Sequence, residues 1–180
     1  MFYGLTPNKT GNRIDNRARE KVVDKKDVAA NEPNMEMAVS MKGVELIAKF
    51  EGCCLDAYLC PEGVWTIGYG HTAGVRQGDR LRSKREAKAL LAEDLKKYSA
   101  CVNECVRRGM IAFRLTQNQF DALTCFCFHC GSSNLQRLME GRDAAVIAEK
   151  ILLFNKADGR ERAGLTIRRK EEQALFVRSV

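Results

Sequence analysis

The chain has 180 residues, of which 45% are hydrophobic and 29% charged, with a formal net charge of +7 and eight cysteines. That size and balance suit one globular domain with or without a tail, and exclude collagen-like, coiled-coil and wholly disordered chains. No apolar run approaches the ~20 residues of a membrane-spanning helix. The basic surplus suits a polyanionic partner (nucleic acid, an acidic cell-wall polymer or an anionic membrane face) and equally suits plain solubility.

Residues 1–38 differ from the rest. They are polar and mixed in charge, from Asn8 to Arg13 and again from Arg17 to Lys26, and lead into Asn31-Glu32-Pro33-Asn34. They hold seven Lys/Arg and six Asp/Glu, leaving 23 and 17 for the remainder. The basic surplus therefore belongs to residues 39–180. Low hydrophobicity predicts a mobile extension with a short helix near 15–30, lacking the apolar stretch of a signal peptide or membrane anchor.

From Ser40 the pattern tightens. Val44, Ile47, Ala48 and Glu51 share one helical face, and Gly52 offers a stop. Residues 56–76 are punctuated by glycine, and alternation with a turn at Glu62-Gly63 predicts a small antiparallel hairpin. Ser83-Lys84-Arg85-Glu86 reads as a capping box that opens one long helix, with Leu90, Leu91, Leu95, Tyr98, Cys101, Val102 and Cys105 on its apolar side. Thr116-Gln117-Asn118-Gln119 opens a second core helix, which Gly131 closes. Shorter helices are expected near 133–140, 143–155 and 166–178. The order predicts an α+β fold, mostly helical, with its strands near the start.

The hairpin neighbourhood holds the best constellation for chemistry. Glu51 ends an amphipathic helix, Cys60 lies in the first arm of the hairpin, Thr66 on the return strand, and His71 after the glycines. A partly buried carboxyl at a helix end suits a general acid, because burial raises its pKa toward working pH. A cap or a salt bridge is the plainer role for the same residue.

Cys125, Cys127, His129 and Cys130 invite a metal reading. On a helix these four project in different directions, and only Cys125 and His129 stand at i, i+4. Small thiols filling a helical core account for them better, and for Cys101 and Cys105 as well. No paired C-x-x-C knuckles support zinc. No metal and no cofactor are expected.

Glu51-Gly52, Ala57-Tyr58 and the run Gly63-Val64-Trp65-Thr66-Ile67-Gly68-Tyr69-Gly70-His71 resemble the phage-type lysozymes, the endolysins of glycoside hydrolase family 24. The resemblance continues through Leu115 to Leu123, Gly164-Leu165, Arg168-Arg169 and Leu175-Phe176, and spans about residues 39–178. It implies a lysozyme-like fold of two lobes, with a small sheet in the first lobe, a long helix joining the lobes, and peptidoglycan bound between them. It also implies cleavage of the β-1,4 bond between N-acetylmuramic acid and N-acetylglucosamine.

The family's catalytic pattern is Glu, eight residues, Asp or Cys, five residues, Thr. Glu51, Cys60 and Thr66 match it with both gaps intact. Glu51 would protonate the leaving oxygen, and Thr66 would help hold the attacking water. Cys60 stands where Asp is commoner, and as a thiolate it can stabilise the oxocarbenium-like state, polarise water or attack covalently. Arg168 matches an arginine that pairs with the catalytic Glu across the cleft. His129 stands where relatives often carry Asn or Gln facing the sugar, and His71 matches a structural hairpin histidine. In some exported members a disulfide on the active-site Cys holds the enzyme off, so Cys53, Cys54 and Cys60 are candidates for a regulatory pair.

The resemblance makes bacterial peptidoglycan the expected partner of a monomeric enzyme that uses neither nucleic acid nor a membrane span. The enzyme is expected to be made in the host bacterial cytoplasm and to act at the periplasmic wall. A holin lesion, virion release or a secretion machine would carry it there, and the extension could serve for docking. Two alternatives stay open. One is a lytic transglycosylase giving 1,6-anhydro products. The other is a wall-binding phage protein without catalysis.

Overall fold

The computed structural model describes residues 36–179, so the helix expected near 15–30 lies outside the described residues. Eleven elements follow in order. They are α1 (Met41–Phe50), β1 (Cys54–Leu59), β2 (Trp65–Gly68), α2 (Lys84–Asp94), α3 (Lys96–Arg107), α4 (Gln117–Cys130), α5 (Ser132–Met139), α6 (Ala144–Ile151), β3 (Lys156–Ala157), β4 (Arg160–Glu161) and α7 (Ala163–Phe176). The fold is mostly helical with a small antiparallel sheet.

The hairpin forms where glycine allows it. Cys60 and Val64 close the ends by a 3.0 Å backbone bond, and Gly63 donates to the Cys60 carbonyl at 2.8 Å. Pro61 presets the first corner, and Gly63 adopts φ +77°, which a side chain would resist. Tyr58 pairs with Thr66 and Leu59 with Trp65, while the register slips between Cys54 and Tyr58. The other edge of β1 is covered by the loop 79–81, through Ala57 N–H to Asp79 and Leu81 N–H to Leu55.

Two apolar clusters organise the molecule. The larger is mostly helical and centres on Phe120, Leu123, Phe126, Leu135, Leu138 and Ile147. The smaller gathers Val44 and Ile47 of α1, Leu91 of α2, Leu95 and Cys125 of α4. Helix α1, although first in the described chain, therefore docks on α4 as well as on α2.

That docking is built from polar and steric detail. Ser40 caps α1, its hydroxyl accepting from Lys42 N–H. The buried carboxylate of Asp121 on α4 then accepts from the Ser40 backbone N–H at 2.8 Å and from the Ser40 hydroxyl. Gln117 donates to the same carboxylate at 2.9 Å. Gly43 sits at the crossing, and its carbonyl receives the Cys125 thiol at 3.5 Å. A Cβ there would lie 2.5 Å from Val39 Cγ2 and 3.1 Å from Asp121 Cβ.

Three sequence expectations are revised by the structure. The long helix after Ser83 is two helices, because the ladder tightens into an i→i+3 turn at fully buried Leu95, with ψ near −13°. At its start, Ser83 caps Glu86 N–H but Glu86 reaches back to Arg82 N–H rather than to Ser83. The helix expected at 143–155 stops at Ile151. A two-residue hairpin, β3–β4, follows around Asp158 and Gly159, both with positive φ. Asp-Gly is the usual pair for such a turn. The full capping box at Thr116 and the stop at Gly131 (φ +81°) are as expected.

Gly43→Ala should destabilise the protein. The usual helical gain of about 1 kcal/mol for Gly→Ala is outweighed by an over-packing cost of about 1–3 kcal/mol. Gly164→Ala on α7, where a Cβ meets open space, should be neutral or stabilising. Chemical denaturation of both variants checks the contrast.

Candidate active site

Helix α1 ends at Phe50, and Glu51 is its C-cap, already in extended conformation (φ −96°, ψ 139°) with its N–H still bonded to Ile47. The turn outward swings the carboxyl past the helix end. It opens on a cavity of ≈ 330 Å3 lined by Glu51, Gly52, Cys53, Cys54, Tyr58, Tyr69 and Gly70. The Glu51 side chain keeps 31% of its surface exposed, while its partner Arg168 keeps only 6%. Arg168 Nη1 donates to Glu51 Oε1 at 2.8 Å. The guanidinium carbon lies 5.3 Å from the Phe50 ring centre and 5.8 Å from that of Phe128. Aromatic faces on a cation, together with burial, hold this arginine in one place.

The other expected site residues are distributed as follows. Cys53 and Cys54 line the Glu51 cavity, Cys53 half-buried and Cys54 exposed. The Cys53 thiol lies against the Tyr69 hydroxyl. Burial raises the Tyr69 pKa, and Cys53 adds to the effect. Cys60 stands at the hairpin turn, half-buried and outside that lining. Its thiol hydrogen-bonds the carboxylate of Glu62, and this bond lowers the Glu62 pKa. Thr66 is buried, with its hydroxyl donating to the Val64 carbonyl at 3.0 Å. It too is outside the lining of the cavity.

His129 is on the last turn of α4, close enough to the pair to feel it. Desolvation lowers its pKa first, and Arg168 and Arg169 lower it further, against a smaller opposing pull from Glu51. The imidazole is therefore neutral at pH 7, and can both donate to and accept from an uncharged ligand. His71 ties the hairpin to α2. Its Nδ1 lies 2.9 Å from both Asp94 carboxylate oxygens, and its Nε2 lies 2.9 Å from the Ala73 carbonyl.

Cys105, Cys125 and Cys127 are buried, and Cys101 and Cys130 are half-buried against the larger cluster. Burial pushes the Cys105 thiol up to about 11 and Cys127 up to about 12. Cys105 and Cys127 are packing groups, protonated at any ordinary pH. Among the described residues, no three His, Cys, Asp or Glu side chains are placed to hold a metal. No helix among them is long and apolar enough to cross a membrane.

Sequence reasoning missed two participants. One is Tyr69, quoted only as part of the glycine-rich run. The other is Glu172, fully buried behind Arg168 and joined to it at 3.4 Å. The only sequence signal for Glu172 was its i+3 and i+4 spacing from two arginines, which exposed ion pairs share.

The comparisons agree with this geometry. The phage lysozyme family profile matches residues 48–172. An endolysin of Acyrthosiphon pisum secondary endosymbiont phage 1 is 36% identical over 149 residues, covering 78% of this chain and 98% of that protein. The muramidase domain of SpmX from Asticaccaulis excentricus superposes with a TM-score of 0.64 at 37% identity, over 78% of this chain and 98% of the other. A lysozyme mutant of phage P22 gives 0.66 at 30% identity, over 79% and 99%. The family match, the endolysin relative and the shared fold define a lysozyme-type glycoside hydrolase. Within that class, the chain belongs to the phage lysozyme family.

The buried Glu172 makes stability depend on pH. Burial raises its pKa from the ordinary 4.5 to about 7, against the lowering influence of Arg169 and Arg168. Between those values the folded chain binds the proton more readily than the unfolded chain does. Stability from this group is therefore lost as pH rises from 4.5 through 7. Urea denaturation at pH 5 and pH 8 should show that loss in the wild type, and a smaller one in Glu172→Gln.

Proposed function

We propose that the chain is a muramidase, cleaving the β-1,4 bond between N-acetylmuramic acid and N-acetylglucosamine in bacterial peptidoglycan, with Glu51 as general acid. The observation that carries this reading is the Glu51 carboxyl, half-exposed at the mouth of the cavity and anchored by one buried arginine. The names of the relatives, endolysin and muramidase domain, support it.

The chemistry runs in a definite order. A sugar chain lying over the cavity would shield the Glu51 carboxyl from water, while Arg168 holds that carboxyl in place at 2.8 Å. Protonation of the bridging oxygen by Glu51 releases the leaving sugar, and the positive charge that develops needs a partner on the other side. Cys60 and Thr66 are the residues assigned there, the thiol to stabilise charge or activate water and the hydroxyl to hold the water. Neutral His129 is suited to a sugar N-acetyl group, whose amide offers one donor and one acceptor. Thr66 can keep its bond to the Val64 carbonyl and accept from that water on a free lone pair.

A transglycosylase outcome is favoured by one observation. Among the described residues, Glu51 is the only carboxylate in the cavity lining. A single acid serves a reaction in which the sugar's own hydroxyl displaces the leaving group. Mass spectrometry of the released fragments separates the two: hydrated reducing ends mark hydrolysis, and 1,6-anhydromuramic ends mark transglycosylation. In the same assay Glu51→Gln should lose about 10²–10⁴-fold in rate while still sedimenting with the wall. An unchanged rate would refute the assignment.

The expected regulatory pairing needs β1 to open, because Cys53 and Cys54 line the Glu51 cavity while Cys60 stands beyond the other end of that strand. Exchange with a small disulfide joins Cys60 to Cys53 or Cys54, releases two small thiols and removes two hydrogens from the protein. Oxidised protein should lose activity with that mass change and regain it in reductant, whereas Cys60→Asp should be indifferent to both. Full activity in the oxidised, cross-linked wild type would end the idea.

A further inference from the structure

Helix α7 turns three charged side chains inward. Arg168, Arg169 and Glu172 are all less than a tenth exposed, and two of them are fully buried. Such groups persist in a core only when paired, because an uncompensated charge there is costly. Their pairing is one-sided. Glu172 Oε1 accepts from Arg169 Nη2 at 2.5 Å and from Arg168 Nε at 3.4 Å. Among the described residues, Glu172 Oε2, Arg169 Nε and Arg168 Nη2 have no partner. Arg169 is fixed from behind by the Phe126 ring at 5.1 Å and by a bond to the Cys130 thiol. The order of contact is therefore Arg169, Glu172, Arg168, Glu51.

We propose that Glu172 is a positioning residue for the glycosidase, sharing the Arg168 guanidinium with Glu51 so that Glu51 stays available as an acid. The proposal rests on the reading of Glu51 as the proton donor. A guanidinium can grip a carboxylate with two parallel N–H bonds, and in that form it holds the carboxylate ionised. Arg168 does not do so. It meets Glu51 through Nη1 alone, while Nε is turned toward Glu172 and Nη2 is left idle. A cation divided between two carboxylates neutralises neither. Where Glu172 is ionised, its charge adds to this sharing through an interior that screens poorly, and Arg168 grips Glu51 less firmly than a two-bond pair would.

Other groups around Glu172 do not displace this logic. From α4, the thiols of Cys125 and Cys130 feel its charge, and burial raises the pKa of both. From α1, the charged group is Glu51 itself, reached through Arg168. Burial and the opposing pull of Arg169 and Arg168, on its own helix, set its state.

The test is the pH profile of kcat/KM for the full chain on peptidoglycan. Glu172→Gln keeps the shape and removes the charge, so Arg168 serves Glu51 alone. The alkaline limb, which reports loss of the Glu51 proton, should move down by about 0.5–1 pH unit. Glu172→Asp keeps the charge and should return the limb toward its wild-type position. A merely structural role would lower the rate equally at every pH in both variants and leave the limb unmoved, which overturns the proposal. If Glu172→Gln fails to fold, carboxyl ¹³C titration of the wild type replaces it. Glu51 and Glu172 should then each show two inflections, as coupled groups do. Two independent single inflections overturn the proposal. Glu51→Gln separates the layers: retained hydrolysis removes the acid reading and the proposal with it. An inactive Glu51→Gln beside an unmoved limb in Glu172→Gln removes the positioning role alone.

Discussion

The seat of α1 on α4 is the contact from which the site takes its shape. Asp121 is buried, and its carboxylate holds the first residue before α1 by backbone and side chain together. Gly43 lets the two helices approach until a carbonyl of one meets a thiol of the other. Helix α1 is only ten residues long. Its cap and its crossing point together fix where its other end lies, and Glu51 stands at that end. The carboxyl is thus placed by groups on the opposite side of the helix from the cavity it serves.

Helix α7 supplies the complementary half. It carries a buried cation to the carboxyl and backs that cation with a buried anion and a second cation. An apolar face in the same place would hold the helix with less desolvation cost. The charge on this surface is therefore better understood as chemistry than as adhesion. The apolar anchors of α7, Leu175 and Phe176, sit one turn further on in the large helical cluster. Packing and electrostatics occupy successive turns of one helix.

Much of the fold could be read from local signals. Ser40, Thr116 and Gly131 mark helix ends because their hydrogen bonds are made within a few residues. The Pro61-Glu62-Gly63 turn is legible for the same reason. The break at Leu95 was not, because the residues around it are good helix formers and the distortion comes from burial. The Asp158-Gly159 turn was written in the sequence, but its flanking strands are too short to show alternation. At the site, the pattern of Glu51, Cys60 and Thr66 could be seen as spacing. The inward turn of Arg169 and Glu172 could not. A basic run followed by two glutamates looks the same on a wet face as on a dry one, and only the ring of Phe126 and the thiol of Cys130 distinguish them.

The bond between Glu51 and Arg168 spans 117 residues of chain, and those from Asp121 to Ser40 span 81. Loop closure over such distances comes late, because its entropic cost must be met before the contact is rewarded. During synthesis the carboxyl emerges long before its cation. The pair can form only once α7 has been made. A growing chain therefore carries the Glu51 carboxyl through five further helices and two hairpins before the helix that bears its cation.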